Sequence, residues 1–163
     1  MLDFGAVNGV QIIRLEVPGL ITFRDVLLRT TSAASKLVSA GMGAGEQTFS
    51  AHVVSAVGEA FNNIALHGYK GRQPDIVRLS IELGRGFLRV TMEDFGHGFD
   101  PNDAVQPDLE SLPEAGLGVF IMKAFMDEIS YAHGRPNVLT LLKRIEPAKH
   151  AADDRPTQKK VRP

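Results

Sequence analysis

A carboxylate and a carboxamide stand four residues apart, at Glu59 and Asn63, in a stretch whose apolar residues recur every three or four positions. On a helix, residues i and i+4 project from one face, so these two side chains converge on one point. Because Mg²⁺ takes oxygen ligands, few of them from protein, the Asn63 amide suits a single anchor for the ion. Glu59, one turn earlier, is placed to accept a proton from an attacking hydroxyl or water. An isolated pair of this kind is more often a solvated helix face.

A second cluster combines an acid with two glycines, Asp94, Gly96 and Gly98, where an alternating apolar run ends. A carboxylate at the end of a strand accepts a hydrogen bond from an exocyclic amine. Glycines allow a flat ring to approach the backbone without a Cβ in the way. These properties suit adenine, and an ordinary glycine turn is the alternative interpretation.

The third cluster, Gly116-Leu117-Gly118, directly precedes a short apolar segment with helical spacing. Exposed N–H groups at a helix N-terminus bind anions, and glycine lets phosphate oxygens come close. The cluster is not a dinucleotide-binding fingerprint, because Ile121 stands where the last glycine would be, and no Gly-Lys-Ser/Thr of a P-loop occurs. It predicts a phosphate contact, although two glycines at this spacing, taken alone, more often belong to an ordinary loop.

Hydropathy predicts the elements that must position these clusters. Alternating polar and apolar residues predict strands over residues 11–17, 77–83, 88–92, 128–133 and 138–144. Apolar residues three or four apart predict helices over residues 23–40, 49–64 and 118–126, the first with a weak centre at Thr30, Thr31 and Ser32. This order predicts an α+β two-layer sandwich, with helices on one face of a mostly antiparallel sheet.

The chain length predicts one domain, over residues 10–145, with residues 1–9 as a lead-in. Residues 99–115 hold three prolines among acidic and small residues, and we expect a long loop that acts as a lid. Beyond residue 145 the chain is rich in Lys, Asp and Pro, which predicts a disordered tail over residues 146–163.

Composition narrows the function classes. Charge is nearly balanced, with 18 Lys+Arg against 19 Asp+Glu, so we expect no nucleic-acid partner. The absence of cysteine excludes disulfides and thiolate metal sites and agrees with a reducing compartment. No apolar run approaches the roughly 20 residues of a membrane span. We therefore expect a cytoplasmic protein without a membrane partner.

The three clusters occur in a fixed order, and together they resemble the GHKL ATPase superfamily. Residues 59–69 resemble its N box, Asp94-x-Gly96-x-Gly98 its G1 box, and Gly116-x-Gly118 its G2 box. Within the superfamily, the strings EAFNNIALHGY and GLGVFIMKAFMDEI look most like the anti-sigma-factor serine kinases. The resemblance covers residues 10–144 and implies the Bergerat, or histidine-kinase-like ATPase, fold with an ATP lid.

The resemblance also implies a role for each matching position. Glu59 matches the general base, Asn63 the Mg²⁺ ligand, and Asp94 the acid that binds the adenine amine. The remaining ATP contacts match the glycine clusters: Gly96, Gly98, Gly116, Leu117 and Gly118.

The implied activity is that of an ATP- and Mg²⁺-dependent serine/threonine protein kinase that regulates transcription by phosphorylating a small, STAS-like anti-sigma-factor antagonist. A sigma factor is the second candidate partner, and a homodimer is a candidate assembly. Two departures from the family leave alternatives open: residues 99–115 contain no Lys or Arg, and Thr140 does not align with the threonine that supports adenine. The alternatives are a nucleotide-gated protein-binding switch without kinase activity and a structural domain without a ligand.

Overall fold

The computed structural model describes residues 9–40, 42, 45–98 and 116–145 of the chain. The strands found there are β1 (Gln11–Pro18), β2 (Ile76–Gly84), β3 (Phe87–Asp94), β4 (Glu128–Ala132) and β5 (Asn137–Arg144). In this described part they form one antiparallel sheet with the order β1-β2-β3-β5-β4. The predicted lid over residues 99–115, the predicted tail over residues 146–163 and residues 1–8 of the lead-in lie outside the described residues.

The helices are α1 (Arg24–Ser39), α2 (Gly45–Asn63) and α3 (Leu117–Phe125). A 3₁₀ turn, Ile21–Phe23, leads into α1, and a π-helical turn, Ile64–Gly68, continues α2. α2 packs against both α1 and α3, and the helices cover one face of the sheet. The predicted α+β two-layer sandwich is therefore confirmed.

The strict alternation of apolar and polar residues along the strands decides which face of the sheet is buried. Ile81 pairs with Val90, and Leu79 with Met92, and all four side chains are almost completely buried against the helices. The intervening side chains are mostly Arg, Glu, Ser and Thr, so the opposite face is solvated, as is common in antiparallel sheets. The largest fully buried side chains of the core include Leu27, Phe61, Ile64, Leu79, Ile81, Leu88, Met92, Met122 and Leu141.

The inner face of α1 is more polar than its apolar spacing predicts. Val26 and Leu37 are 45% and 52% exposed, whereas Thr31, Ser35 and Ser39 are buried. The Ser35 hydroxyl donates to the Thr31 carbonyl at 2.8 Å, and the Ser39 hydroxyl donates to the Ser35 carbonyl at 2.9 Å. Because the Ser35 and Ser39 hydroxyls bond to their own helix, burial costs them little. The Thr31 hydroxyl is buried without a hydrogen-bond partner among the described residues, yet α1 continues through the predicted weak centre.

None of the helices in residues 9–40, 45–98 and 116–145 is both long and apolar enough to cross a membrane.

Candidate functional site

The carboxylate of Glu59, on α2, lies against the first turn of α3. A Cβ built on Gly118 would be 2.9 Å from Glu59 Oε2 and 3.5 Å from Glu59 Cβ. Glycine at position 118 therefore lets α3 approach the carboxylate closely. Glu59 is partly exposed, and within the described residues its side chain has no hydrogen-bond or ion-pair partner.

Two neighbouring carboxamides at the end of α2 have different surroundings. Asn62 accepts a hydrogen bond at 2.9 Å from Nε of Arg24, which joins α2 to α1. Asn63, one turn after Glu59 on the same helix face, is partly exposed and has no side-chain hydrogen bond with the described residues. Among the described residues, the fold therefore uses the amide of Asn62 and leaves that of Asn63 without a partner.

The π-helical turn brings Gly68, which follows Glu59 and Asn63 in the stretch 59–69, to the loop after β3. The backbone N–H of His97 donates to the carbonyl of Gly68 at 2.7 Å. A Cβ on Gly96 would lie 2.5 Å from the Gly68 oxygen and 2.8 Å from its carbonyl carbon, so only glycine fits at position 96. π-Helical turns often mark functional sites, and this one fixes the backbone contact between two predicted clusters.

Asp94 is buried at the end of β3, with 4% of its surface exposed. Its Oδ1 accepts hydrogen bonds from the Gly96 N–H at 2.7 Å and from Asn137 Nδ2 at 3.1 Å. Within the described residues, no donor reaches Oδ2. Because an ionised carboxylate has about four acceptor positions, Asp94 retains the capacity to bind a ligand donor.

Tyr69 supports the same loop from the protein interior. It is 4% exposed, and its hydroxyl oxygen accepts a hydrogen bond from the Phe95 N–H at 3.3 Å. Burial raises the pKa of Tyr69; the hydrogen bond from Phe95 opposes this increase, and the negative charge of Asp94 adds to it. The side chain is therefore a neutral phenol near neutral pH and acts as a backbone support.

The third cluster forms the N-terminus of α3. Gly116 precedes the helix with φ of 99°, a conformation that favours glycine, and its carbonyl accepts a hydrogen bond from Phe120 N at 3.0 Å. Leu117, the first helical residue, is 42% exposed. The first N–H groups of an α-helix lack partners in the helix, so with Gly118 they offer donors beside Glu59.

The structure thus brings the three predicted clusters together. Gly98 lies farther towards the β4–β5 connection than the other predicted residues. A Cβ at Gly98 would collide with the Tyr131 hydroxyl and lie 2.8 Å from His133 Nδ1. Its φ of 78° also favours glycine. These contacts show why glycine is needed at position 98, and the nucleotide contacts assigned to the clusters remain predictions.

Sequence reasoning considered Thr140 and missed Asn137 on the same strand. Thr140 lies on the solvated face, where it pairs with Thr91 and Ser130, so it points away from the buried Asp94. Asn137 pairs with Asp94 across the β3–β5 ladder and is fully buried. The missing signal was the strand register, which identifies the residue opposite Asp94.

In the described part of the chain, no group of three or more His, Asp or Glu side chains is arranged to hold a metal ion. Mg²⁺ bound with a nucleotide takes most of its ligands from phosphate and water, so a single amide oxygen is chemically sufficient. Asn63 fits that requirement because its amide has no partner within the described fold.

A separate depression of about 420 Å³ lies over β3, β4 and β5, away from the three clusters. Its lining consists of Arg89, Glu128, Ile129, Ser130, Thr140 and Leu142. Arg89 is paired with Glu82 at 2.7 Å, so part of its charge is already satisfied. We therefore place the candidate site at the three clusters rather than at this depression.

The sequence is similar to proteins of known families. Residues 24–143 match the protein family described as "Histidine kinase-like ATPase domain". Proteins named anti-sigma F factor from Bacillus cytotoxicus and from Bacillus cereus (strain G9842) are each 37% identical over 81 residues, and that of Bacillus thuringiensis (strain Al Hakam) is 36% identical. These matches cover 47% of this chain and 56% of each relative, so the chain spans about half the length of the curated relatives it matches.

Proposed function

Because the chain belongs to the histidine kinase-like ATPase domain family, we propose that its cleft binds ATP with Mg²⁺ and that it is a serine/threonine protein kinase. Its proposed substrate is a small, STAS-like anti-sigma-factor antagonist, and its second proposed partner is a sigma factor, so that it regulates transcription. The relatives named anti-sigma F factor support this class of partner. The observation that carries the proposal is the contact of Glu59 with Gly118, which places an acid beside a helix N-terminus.

Binding follows from the donors and acceptors that the fold leaves available. Asp94 accepts a hydrogen bond from the adenine amine, at the end of the cleft where Gly96 and Gly68 are in contact. The first N–H groups of α3 donate to phosphate oxygens at the opposite end. Asn63 holds the Mg²⁺ through its amide oxygen, and the bound ion neutralises phosphate charge.

In the proposed transfer step, the serine hydroxyl oxygen of the substrate bonds to the γ-phosphorus. Glu59 accepts the hydroxyl proton, the bond from the γ-phosphorus to its bridging oxygen breaks, and ADP leaves. No described residue competes for the Glu59 carboxylate, so it is available to the incoming hydroxyl. Positioning and charge stabilisation supply most of the catalysis in such transfers.

Glu59→Gln tests the proposed base because it removes the proton acceptor and preserves the size of the side chain. We expect ATP affinity to stay near the wild-type value, and phosphorylation of the antagonist to slow by about 10²–10⁴-fold. Calorimetry measures the affinity, and transfer from γ-labelled ATP measures the rate. Glu46→Gln, in the first turn of the same helix, is the matched control and should change neither. Wild-type transfer by Glu59→Gln would show that Glu59 is not the base.

Asn63→Ala tests the proposed Mg²⁺ ligand. Mg²⁺ should raise ATP affinity in the wild type, and in this variant we expect that increase to be smaller by a factor of about ten or more. Contacts to charged groups contribute about 1.5–3 kcal/mol. Asn62→Ala is the matched control: it loses the Arg24 contact and about 1 kcal/mol of stability, but keeps the Mg²⁺ effect. An equal loss in both variants would contradict the assignment to Asn63.

A nucleotide-gated protein-binding switch without kinase activity is the second candidate. It is favoured by the absence of Lys and Arg from residues 99–115, because cations near the γ-phosphate commonly stabilise transfer. Such a switch would bind its partner with different affinities in ATP and ADP, and would leave the partner unlabelled by γ-labelled ATP. A labelled antagonist excludes the pure switch, and failure to bind either nucleotide contradicts both candidates.

A further inference from the structure

Asn137 is fully buried at the start of β5, and the proposed kinase mechanism assigns it no role. Its Nδ2 donates to Asp94 Oδ1 at 3.1 Å and to the Gly96 carbonyl at 3.2 Å. Its Oδ1 accepts from the Gly134 N–H at 3.2 Å. The opposite orientation of the amide would place its oxygen against two acceptors, so these contacts fix Asn137 as a donor to Asp94.

This donor determines how the Asp94 carboxylate is used. The Gly96 N–H and Asn137 Nδ2 both bond to Oδ1, which occupies the acceptor positions of that oxygen. Two donors on one oxygen also restrain rotation of the carboxylate about its Cβ–Cγ bond. Within the described chain, Oδ2 is therefore the oxygen left for a ligand, and it presents only an acceptor.

We propose that Asn137 is a positioning residue that makes the site selective for 6-aminopurine over 6-oxopurine nucleotides. This inference rests on the proposed nucleotide site. With Oδ1 held by the protein, Oδ2 accepts a hydrogen bond from a 6-amino group. A 6-oxo group instead brings a second acceptor against a carboxylate, and a site built for a donor rejects a ligand that lacks it. Asn137 does not touch the base and acts through Asp94.

The neighbouring loop preserves space for this carboxamide. A Cβ on Gly98 would lie 3.0 Å from Asn137 Oδ1, in addition to its contacts with the β4 end of the sheet. Gly96 contributes both its N–H to Asp94 and its carbonyl to Asn137. The two glycines of the second cluster thus accommodate the pair formed by the acid and the amide.

The test compares the affinities of the full chain for ATP and for inosine triphosphate, both with Mg²⁺, by calorimetry. We expect the wild type to prefer ATP by at least about tenfold. In Asn137→Ala, ATP affinity should fall by about tenfold or more and inosine triphosphate affinity by much less, so that the preference is largely lost. Thr140→Val, on the solvated face of the same strand, is the matched control and should retain the wild-type preference.

The inference is overturned if a folded Asn137→Ala variant keeps the wild-type preference or loses affinity equally for both nucleotides. A purely structural role would not change the ratio of the two affinities. If this variant does not fold, Asn137→Ser is measured in the same way. In the wild type, the side-chain amide resonances of Asn137 should shift more with ATP than with inosine triphosphate, and equal responses also overturn it.

Wild-type binding separates this inference from the proposed function. A chain that binds ATP and inosine triphosphate equally retains a nucleotide site, and contradicts the role of Asn137 and the adenine contact of Asp94 but not nucleotide binding. A chain that binds neither nucleotide contradicts the proposed function, and the selectivity with it.

Discussion

Two aspartates near strand ends, Asp94 at the end of β3 and Asp127 at the β4–β5 edge, are used in different ways. Asp127 Oδ1 accepts from Lys143 Nζ at 3.0 Å, and its Oδ2 accepts from the Arg144 N–H at 2.5 Å. Asp94 receives both of its described donors, each of them uncharged, on Oδ1. Among the described residues, the fold thus supplies donors to both oxygens of Asp127 and to only one oxygen of Asp94.

Charge reinforces this difference. Burial on its own would raise the pKa of Asp127, but the hydrogen bond from Arg144 N and the Lys143 ammonium outweigh burial and lower the pKa below its ordinary value of 3.8. Among the described residues, Asp94 has no ion-pair partner. A carboxylate whose charge is neutralised within the fold stabilises structure, whereas one held by neutral donors can attract a ligand donor.

Asp94→Asn should have the largest effect on ATP binding. The Gly96 N–H and Asn137 amide require an acceptor, so the new side chain should present its oxygen to them and place its NH₂ where Oδ2 was. An NH₂ group cannot accept a hydrogen bond from adenine. We expect ATP affinity to fall on the order of 100-fold, about 2.8 kcal/mol, as measured by calorimetry. Circular dichroism should show an intact fold, and unchanged ATP affinity would contradict the role of Asp94.

Gly96→Ala should have the next largest effect, on stability. The added Cβ meets the backbone oxygen of Gly68 at 2.5 Å, and a backbone joined to α2 cannot easily move away. We expect a loss of about 2–3 kcal/mol in the free energy of unfolding, measured in urea.

Gly118→Ala is the matched control for this substitution. Its Cβ meets the end of the flexible Glu59 side chain at 2.9 Å, so the loss of stability should be under about 1 kcal/mol. Phosphate transfer should nevertheless slow, because Glu59 is displaced. Equal stability losses at Gly96 and Gly118 would contradict the distinction between a fixed and a movable neighbour.

Asp127→Asn should have the smallest effect and leave ATP binding unchanged. We expect a loss of about 1 kcal/mol in the free energy of unfolding, because a partly exposed, charge-assisted contact is weakened. Asp25→Asn is the control: its i,i+4 pair with Arg29 is exposed, and the expected change is under about 0.5 kcal/mol. A large loss of ATP affinity in Asp127→Asn would contradict a structural role.

The pH dependence of the Asp127 contribution has a definite sign. The folded state lowers the pKa of this carboxyl below 3.8, so its stabilisation is present above the unfolded value and disappears as pH falls through the folded one. The stability difference between wild type and Asp127→Asn should therefore be constant near neutral pH and shrink in strong acid. Urea unfolding at a series of pH values measures it, and a difference that grows in acid would contradict the assignment.

Much of the sheet was predictable because alternation is a local pattern. The runs predicted over residues 77–83 and 88–92 became β2 and β3. The spacing of Glu59 and Asn63 also predicted a shared helix face correctly. Their roles as base and metal ligand remain predictions.

The inner face of α1 was predictable only in part from apolar spacing. Leu27 and Ala34 are fully buried, as that spacing predicts, but Val26 and Leu37 are exposed, and hydroxyl side chains such as Thr31 are buried. Serines that bond to their own backbone can replace apolar residues at a helix interface without partners elsewhere. Hydropathy assigns such residues to the wrong face.

The importance of Asn137 was not predictable because it depends on long-range pairing. β3 and β5 are neighbours in the sheet, yet α3 and β4 lie between them in sequence. Only the register that places Asn137 opposite Asp94 identifies it, and no local motif contains that information.

The π-helical turn Ile64–Gly68 has a consequence for insertions and deletions. Such a turn accommodates one more residue than an α-helical turn. Deleting one residue there would restore α-helical geometry, rotating Gly68 by about 100° and moving it by about 1.5 Å along the axis. Its carbonyl would then move away from His97 N, which it now meets at 2.7 Å. The number of residues between Asn63 and Gly68, as well as their identity, is therefore constrained.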